Sequence, residues 1–180
     1  MDKPILITGN AGKAAEFSRL LGFEVHNQKV EGLPELQATD VRVVAEAKAK
    51  AAYEALGKPV FVDDTGLYIN AWGELPGALI AWFLDNVGTE GVLKMLEGWT
   101  DRSARVMTAL GYCDDQGVQI FVGEVIGSVP QQTRGEHGFG YDPIFVPEGH
   151  DKTFAEMTSE EKDAISMRAI AAAKLRDFLA

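Results

Sequence analysis

Short apolar runs alternate with helical repeats over the first third of the chain. Runs of β-branched and other apolar residues that are too short for helices predict buried strands. Segments in which apolar residues recur every three or four positions predict helices, and two of these end at a glycine, Gly22 and Gly57. The predicted elements are strands at 4–8, 23–28 and 59–63 and helices at 13–21 and 40–56.

The later part of the chain has a different pattern. Two β-type stretches on either side of the turn at 114–117 predict a strand pair. A glycine-rich loop follows, and the chain closes with a helix whose start is marked by a capping box at 158–161. The predicted elements are short helices at 79–86 and 89–96, strands at 105–113 and 119–129, the loop at 135–140 and the closing helix from 158 onwards.

The order of these elements predicts an α/β fold. Strands that alternate with helices imply a sheet with parallel pairs covered by helices, and the later strand pair makes this sheet mixed. With 180 residues, no repeat and no linker, we expect a single domain over 1–180. Ligands of such folds bind beyond the carboxyl ends of the strands, which is where we expect the polar segments 8–13 and 63–66 to lie.

Composition narrows the class of protein. Hydrophobic residues make up 46% of the chain and charged residues 24%, which is typical of a globular protein. The chain has 17 Lys and Arg against 27 Asp and Glu, a net charge of −10, and no basic cluster, so we expect no nucleic-acid partner. The excess acid either keeps the protein in solution or, in part, holds a cation.

Two further features concern the compartment. Cys113 is the one cysteine of the chain, so an intramolecular disulfide is impossible and a reducing compartment is expected. The apolar stretch near the N-terminus is too short for a signal peptide or a membrane span. We therefore predict a cytoplasmic protein without a membrane partner.

The segment Thr8-Gly9-Asn10-Ala11-Gly12-Lys13 joins the first predicted strand to the first helix. Such a turn offers free backbone N–H groups and the positive end of a helix dipole, and both suit a phosphate. The dipole disfavours a lysine in the first helical turn unless an anion lies nearby. Ile7 and Ala14 exclude a Walker A loop. An ordinary strand–helix turn is the alternative.

The segment Asp63-Asp64-Thr65-Gly66 begins at the last residue of the third predicted strand. Adjacent strand residues point to opposite faces of a sheet, so at most one of the two acids is expected to face a site. A buried acid needs a cation or a donor, and Mg²⁺, which takes one or two carboxylates, would satisfy it. Glu35, in a predicted loop, is a candidate second acid. A simple turn is the alternative; a haloacid-dehalogenase-type phosphatase would need Asp-x-Asp-x-Thr.

The segment Gly138-Phe139-Gly140-Tyr141-Asp142-Pro143 sets two aromatic side chains among glycines. The glycines permit the close approach of a flat ligand, and stacking of a base on an aromatic ring is worth ~1–3 kcal/mol. Asp142 is able to accept a hydrogen bond from a purine N–H. The segment therefore predicts a base-binding site, with an aromatic core cluster near a turn as the alternative.

Four side chains of the predicted closing helix are candidates for the same ligand. Lys162 and Ser166 are four residues apart and are expected to share one helix face. Met167 and Arg168 lie about 100° and 200° round the helix from Ser166, so all four meet a ligand only near the helix start or edge.

In this order, the segments resemble the inosine triphosphate pyrophosphatase family, which cleaves non-standard purine nucleoside triphosphates. The resemblance covers nearly the whole chain, and although each piece is weak alone, the ordered set is a strong signal. The stretch 75–84 is more similar to eukaryotic and archaeal members than to the common bacterial ones. The matching segments are Thr8-Gly9-Asn10 with Lys13 and Glu16, Leu33-Pro34-Glu35, Asp63 to Leu67, Leu75-Pro76-Gly77, Gly138 to Pro143, Lys152 to Met157, and Glu161-Lys162 through Ile165-Ser166 to Arg168.

The resemblance implies an elongated mixed sheet in two lobes around a central cleft, and usually a homodimer. It implies Mg²⁺-dependent hydrolysis of ITP, dITP and XTP to the nucleoside monophosphate and pyrophosphate. Asp64 would hold the metal and activate the water, Glu35 would be the other metal ligand, and Lys13 would neutralise phosphate charge. The implied substrate-binding residues are Thr8, Gly9, Asn10, Lys13, Lys48, Thr65, Phe139, Gly140, Tyr141, Asp142, Lys162, Ser166, Met167 and Arg168.

Two positions depart from the family pattern. The last motif typically reads Ser-His-Arg, and here it is Ser166-Met167-Arg168. A histidine that is able to donate to the base is therefore replaced by a thioether that is not. Similar relatives carry a lysine where this chain has Ala81. We expect the first change to affect the preference for a base and the second to remove one phosphate contact.

Two other functions compete with this prediction. A Maf-type pyrophosphatase, with a related fold, would act on pyrimidine or modified nucleotides, and the aromatic loop 139–142 argues against it. A nucleotide sensor that binds without cutting is the second alternative, and Met167 is the feature that supports it. A fold alone does not decide between these functions.

Overall fold

The computed structural model describes residues 3–180 and contains one mixed sheet flanked by helices. The strands are β1 (Ile5–Ile7), β2 (Asn27–Gln28), β3 (Val60–Ile69), β4 (Pro76–Gly77), β5 (Ser103–Asp114), β6 (Gly117–Ser128) and β7 (Val146–Pro147). The helices are α1 (Ala11–Leu21), α2 (Val41–Leu56), α3 (Ile80–Met95), α4 (Ser159–Asp163) and α5 (Met167–Leu179). The strand order is β2-β1-β3-β5-β6-β7, with β4 beside β3.

Parallel and antiparallel pairs divide this sheet. Strand β1 runs parallel to β2 and β3, whereas β3, β5, β6 and β7 are joined by antiparallel pairs. The predicted hairpin is present, with β5 and β6 paired from Ser103 opposite Ser128 to Asp114 opposite Gly117. The predicted mixed α/β fold is therefore confirmed.

Helices cover both faces of the sheet because the strand residues alternate between two cores. Phe61 and Leu110 face one core, which includes Phe17 of α1 and Leu175 of α5. Their strand neighbours face a second core with α2. Two strand glycines allow the helices to approach the sheet closely. A Cβ added at Gly111 would lie 2.6 Å from the Ala45 oxygen, and one added at Gly123 would lie 1.9 Å from the Met167 oxygen.

A third core forms the other half of the molecule. The long strands β3 and β5 extend past the end of β1, and their distal residues Leu67 and Val106 pack with α3 and the segment around Phe145 and Phe154. The two halves share these strands, and a cleft lies between α1 and α2 on one side and α3 with the 138–142 loop on the other. This arrangement agrees with the two lobes that the resemblance implies.

Two predicted elements differ from the structure at points that matter for the site. Residues 63–66, predicted to lie at the carboxyl end of the third strand, instead lie inside β3 and pair with 107–110 of β5. The predicted strand 23–28 is reduced to Asn27–Gln28, because β1 is short and offers few backbone partners. The carboxyl end that organises the site is therefore that of β1, beside the continuing β3.

The predicted closing helix is also divided. Helix α4 starts at the predicted capping box, in which Thr158 accepts from the Glu161 N–H. It ends at Asp163, and α5 begins at Met167 with Ser166 as its N-cap. The expectation that Lys162 and Ser166 share one helix face was wrong. The break between the predicted helices 79–86 and 89–96 is confirmed as a kink at Gly88, whose φ of 67° is non-helical.

Candidate active site

The turn at 8–13 connects β1 to α1 and is held by its own side chains. Asn10 is the N-cap of α1, and its side-chain oxygen accepts from the N–H groups of Gly12 at 2.9 Å and Lys13 at 3.4 Å. The Thr8 hydroxyl accepts from the Asn10 N–H at 3.1 Å. Three N–H groups of the turn are therefore already bonded, so fewer are free for a phosphate than the sequence suggests. Thr8, Gly9 and Lys13 nevertheless line an open cavity.

Asp63 lies on one face of β3 in a buried ion cluster. Its carboxylate is 2.9 Å from the Lys13 ammonium and 3.2 Å from the Arg168 guanidinium, which also contacts Glu16 at 3.0 Å. Burial opposes the charge of Asp63, but Arg168 and Lys13 outweigh it and lower the pKa to about 2. The cluster joins α1, β3 and the start of α5 at the floor of the cleft.

Asp64 points to the opposite face of β3 and has a different environment. Its Oδ2 atom is buried and has no hydrogen-bond partner within residues 3–180. Burial and the neighbouring charge of Asp63 raise the pKa of Asp64 to about 7, whereas the positive charges of Lys48 and Lys13 act in the opposite direction. An acid with this combination of burial and neighbouring charge is a candidate functional group.

Glu35 reaches the same region from the loop between β2 and α2. The side chain is exposed, and it lines the cavities on both sides of Lys48. The end of this loop is anchored, because the Tyr68 hydroxyl donates to the Thr39 oxygen at 2.9 Å and the Trp82 indole donates to Gln37 at 2.6 Å. Glu35, Lys48 and Asp64 line one of these cavities together. The negative charge of Glu35 is a minor cause of the raised pKa of Asp64.

The aromatic loop is built around Asp142. Its buried Oδ2 accepts from the Phe139 N–H at 2.9 Å and from the Lys162 ammonium at 2.6 Å. Gly138 has a φ of 77°, and an added Cβ there would lie 2.0 Å from the Asp142 carboxylate, so this turn requires glycine. Asp142 therefore holds the loop in shape, a role that the sequence analysis did not predict.

Phe139 is half exposed on the cleft side of this loop. The Lys162 ammonium lies 5.2 Å and the Arg168 guanidinium carbon 5.1 Å from the centre of its ring. Both cations interact favourably with the ring face. These two cations hold the ring in place, and its exposed half remains open to a flat ligand.

Two adjoining cavities bring most of the predicted residues together. The first, of about 400 Å³ and here named the lysine cavity, is lined among others by Thr8, Gly9, Lys13, Lys29, Glu31, Glu35, Lys48 and Asp63. The second, of about 280 Å³ and named the aromatic cavity, is lined among others by Lys13, Lys48, Asp63, Asp64, Thr65, Ala81, Phe139, Gly140, Tyr141, Asp142, Lys162, Met167 and Arg168. Lys13, Lys48 and Asp63 belong to both cavities.

Asn10 and Ser166 do not line these two cavities. Each is a helix N-cap: Asn10 caps α1, and the buried Ser166 hydroxyl accepts from the Ala169 N–H at 3.1 Å at the start of α5. Both were predicted to bind substrate, and in the structure each side chain caps a helix. Their contribution to a site is to fix where Lys13, Met167 and Arg168 lie.

The carboxylates of Asp64 and Glu35 fit a magnesium ion that takes most of its ligands from water and from substrate phosphates. Within residues 3–180, no group of three or more His, Cys, Asp or Glu side chains converges as a metal cage. Mg²⁺ takes one or two carboxylates and completes its shell with water and substrate phosphates. Asp64, with its buried unpartnered oxygen, and the nearby Glu35 provide such a pair.

Sequence reasoning did not assign a role to Glu16 or Asp63. Glu16 lies in a segment that matches the family, and Asp63 is adjacent to the predicted metal ligand, but their common partner Arg168 is distant in sequence.

Within the described residues 3–180, no helix is long and apolar enough to cross a lipid bilayer.

The fold and the cleft together define a mixed α/β protein in which lysines and acids lie between a strand–helix turn and an aromatic loop. The sequence profile of the Ham1 family matches residues 5–178. The chain therefore belongs to the Ham1 family.

Individual relatives and structures agree with this assignment. The chain is similar to the dITP/XTP pyrophosphatase of Methanopyrus kandleri, with 44% identity over 92% of this chain and 90% of the relative. It is 45% identical to the inosine triphosphate pyrophosphatase of Yarrowia lipolytica, over 98% of this chain and 95% of the relative. The structure of a HAM1 protein from Coxiella burnetii matches with a TM-score of 0.88 and 31% identity, over 99% of this chain and 98% of that one.

Proposed function

We propose that this protein hydrolyses the non-standard purine nucleoside triphosphates ITP, dITP and XTP to the nucleoside monophosphate and pyrophosphate, with Mg²⁺. The observation that carries the proposal is the buried Oδ2 atom of Asp64, which has no hydrogen-bond partner within residues 3–180 and lies in the aromatic cavity, beside the lysine cavity. The names of the relatives, dITP/XTP pyrophosphatase and inosine triphosphate pyrophosphatase, support the same reaction.

The phosphates would lie where the two cavities meet. Cleavage of a phosphoanhydride depends mainly on positioning and on neutralisation of charge. Lys13 and Lys48 line both cavities and supply positive charge there. Asp64 and Glu35 would hold Mg²⁺, which supplies further charge neutralisation at the phosphate oxygens.

Asp64 would act as the general base. Its Oδ2 atom has no hydrogen-bond partner within residues 3–180 and lines the cavity in which the substrate would lie, so it is free to accept a proton there. The water oxygen would form a bond to the α-phosphorus as its proton passes to the Asp64 carboxylate. The bond from the α-phosphorus to the oxygen that bridges to the β-phosphorus would break, which releases pyrophosphate and leaves the nucleoside monophosphate. Thr65, the next residue of β3, lines the same cavity and would contact the substrate.

The base would stack on the open part of Phe139. Lys162 gives one of its three N–H groups to Asp142 and keeps others for a ligand in the aromatic cavity. A donor at the base O6 would accept hypoxanthine and xanthine and would be left unpaired by the amino group of adenine. Tyr141 and Gly140 complete the wall beside this donor.

An assay of pyrophosphate release tests the proposed function. The protein is incubated with Mg²⁺ and ITP, XTP, dITP, ATP, GTP, dTTP or UTP, and with ITP in the presence of excess EDTA. We expect turnover of ITP, XTP and dITP that EDTA abolishes. Preference for dTTP or UTP would favour a Maf-type enzyme, and tight binding of ITP without any pyrophosphate would favour a sensor.

Met167 is expected to weaken the selection against adenine. It is buried in the wall of the aromatic cavity, and its thioether is unable to donate. Met167→His introduces a donor there, so we expect the ratio of kcat/KM for ITP to that for ATP to rise by about 10-fold. Met167→Leu, which keeps an apolar side chain, should leave the ratio unchanged. An equal ratio in all three proteins would show that position 167 does not contact the base.

Ala81 is expected to leave room for one more cation. It is exposed in the first turn of α3 and lines the aromatic cavity with Lys48 and Asp64. Ala81→Lys should lower KM for ITP by about fivefold, the effect of one charge-assisted contact at a partly exposed site. Asn86→Lys places the same charge on the same helix outside these cavities and should leave KM unchanged. A KM that stays the same in Ala81→Lys would contradict the prediction.

The assembly and the compartment stay predictions. The family resemblance implies a homodimer, which sedimentation equilibrium would test directly. The single cysteine, buried Cys113, suits a reducing compartment, and cytoplasmic localisation is the corresponding expectation.

A further inference from the structure

We propose that Lys29 is a further phosphate-binding residue, which holds the distal end of the triphosphate and then the pyrophosphate product in the lysine cavity. This inference rests on the proposed function. Lys29 follows β2 and lines the lysine cavity together with Thr8, Lys13 and Lys48. Neither the sequence motifs nor the residues of the family pattern used above include it.

The chain direction brings Lys29 to the phosphate turn. Strand β2 is parallel to β1, the Thr8 N–H donates to the Gln28 oxygen at 3.1 Å, and the Asn27 side chain donates to the Thr8 oxygen at 3.1 Å. Both strands therefore end at the same edge of the sheet. The aliphatic part of Lys29 crosses Gly9, where an added Cβ would lie 3.6 Å from the Lys29 Cδ atom.

Lys13 and Lys29 each pair with a carboxylate in the lysine cavity, and Lys29 is released from its partner more readily than Lys13. Lys13 is held by Asp63 at 2.9 Å, and the Asp63 side chain is 1% exposed. Lys29 contacts Glu31 at 3.4 Å, but these two side chains are 68% and 86% exposed. An exposed pair of this kind contributes little, whereas a phosphate offers several charged acceptors. Lys29 is therefore free to exchange Glu31 for a phosphate at small cost.

The position of Lys29 indicates that it would contact the terminal phosphate, which is farthest from the base. The aromatic cavity contains Phe139 and Asp64, and the lysine cavity contains neither. Lys29 lines the lysine cavity and not the aromatic one. A nucleotide with its base on Phe139 and its scissile bond beside Asp64 would extend its terminal phosphate towards Lys29. The fragment held there after cleavage is pyrophosphate.

Binding of inorganic pyrophosphate tests the proposal without turnover. Calorimetric titration with Mg²⁺ present compares the wild type with Lys29→Met, which keeps the aliphatic part over Gly9, and Lys29→Arg, which keeps the charge. We expect Lys29→Met to raise the Kd for pyrophosphate and the KM for ITP by about five- to tenfold, with IMP binding and kcat changed less than about twofold. Lys29→Arg should restore most of the loss. Lys58→Met, at an exposed lysine after α2, should match the wild type.

The outcomes separate this inference from the proposed function. Pyrophosphate binding that is unchanged in Lys29→Met overturns the role of Lys29, and so does an equal loss of IMP binding. If the wild type releases no pyrophosphate from any purine triphosphate but still binds pyrophosphate through Lys29, the proposed reaction fails and the binding role stands. If the wild type does not bind pyrophosphate, the role of Lys29 is overturned.

Discussion

Replacing Asp64 by asparagine is expected to lower pyrophosphate release from ITP by about 10³-fold, within the range for loss of a general acid–base group. The asparagine keeps the shape of the side chain but removes both the negative charge that would hold the metal and the atom that would accept the proton. The effect should appear in kcat, because Lys13, Lys48 and Phe139 still line the cleft in the variant. Single-turnover assays with saturating ITP measure it.

The same substitution should leave the fold intact. Oδ2 of Asp64 is buried, has no partner within residues 3–180 and lies beside the charge of Asp63, so the ionised carboxylate costs free energy in the metal-free protein. A neutral amide removes that cost. We therefore expect the urea midpoint of metal-free Asp64→Asn to equal or exceed that of the wild type. Near-normal turnover would refute the role of Asp64, and a large loss of stability would show that its charge supports the fold.

The parts of the fold that follow from local pattern were predictable. Helices α1 and α2 end at Gly22 and Gly57, which adopt the left-handed conformation at each C-terminus. The hairpin and the kink at Gly88 also follow from local signals. Each of these features depends on residues close together in the chain, where propensity and backbone conformation decide the outcome.

The misassigned elements depend on distant partners. The polar residues after the apolar run 59–63 suggested that the strand ends at Asp63, but antiparallel pairing with β5 keeps 63–66 in the strand. The polar Asp63 is tolerated there because Arg168, 105 positions away, supplies an opposite charge. Glu16 and Arg168 are 152 positions apart. The three residues belong to segments that match the family pattern, but the sequence contained no local sign that they meet.

The candidate site was predictable as a set of residues and less so as a set of roles. Lys13, Lys48, Asp64, Phe139 and their neighbours do line one cleft. The roles of Asn10 and Ser166 as caps, and of Asp142 as the anchor of the aromatic loop, come from hydrogen bonds that depend on exact backbone placement. A motif identifies which residues are near a ligand but not which of them support the others.

Replacing Asp63 by asparagine should destabilise the fold, whereas the change at the adjacent Asp64 should lower activity and leave the fold intact. The variant leaves the Arg168 guanidinium, whose side chain is 1% exposed, with Glu16 as its remaining partner. Loss of one partner of a buried ion pair costs about 3–5 kcal/mol, and because Glu16 remains we expect a loss of about 3 kcal/mol in the free energy of unfolding.

The lowered pKa of Asp63 determines how its stabilisation of the fold depends on pH. Arg168 and Lys13 overcome the effect of burial and lower that pKa from 3.8 to about 2. The stabilisation is therefore present above the unfolded pKa and is lost as the pH falls through about 2. Urea denaturation should show the largest difference between wild type and Asp63→Asn at neutral pH. Glu46→Gln, which breaks the exposed pair with Lys50, is the matched control and should cost less than about 0.5 kcal/mol. A loss at Asp63 no larger than that control would mean that the buried cluster does not stabilise the floor of the cleft, and that Arg168 is held in place by packing against Phe17 and Phe139 instead.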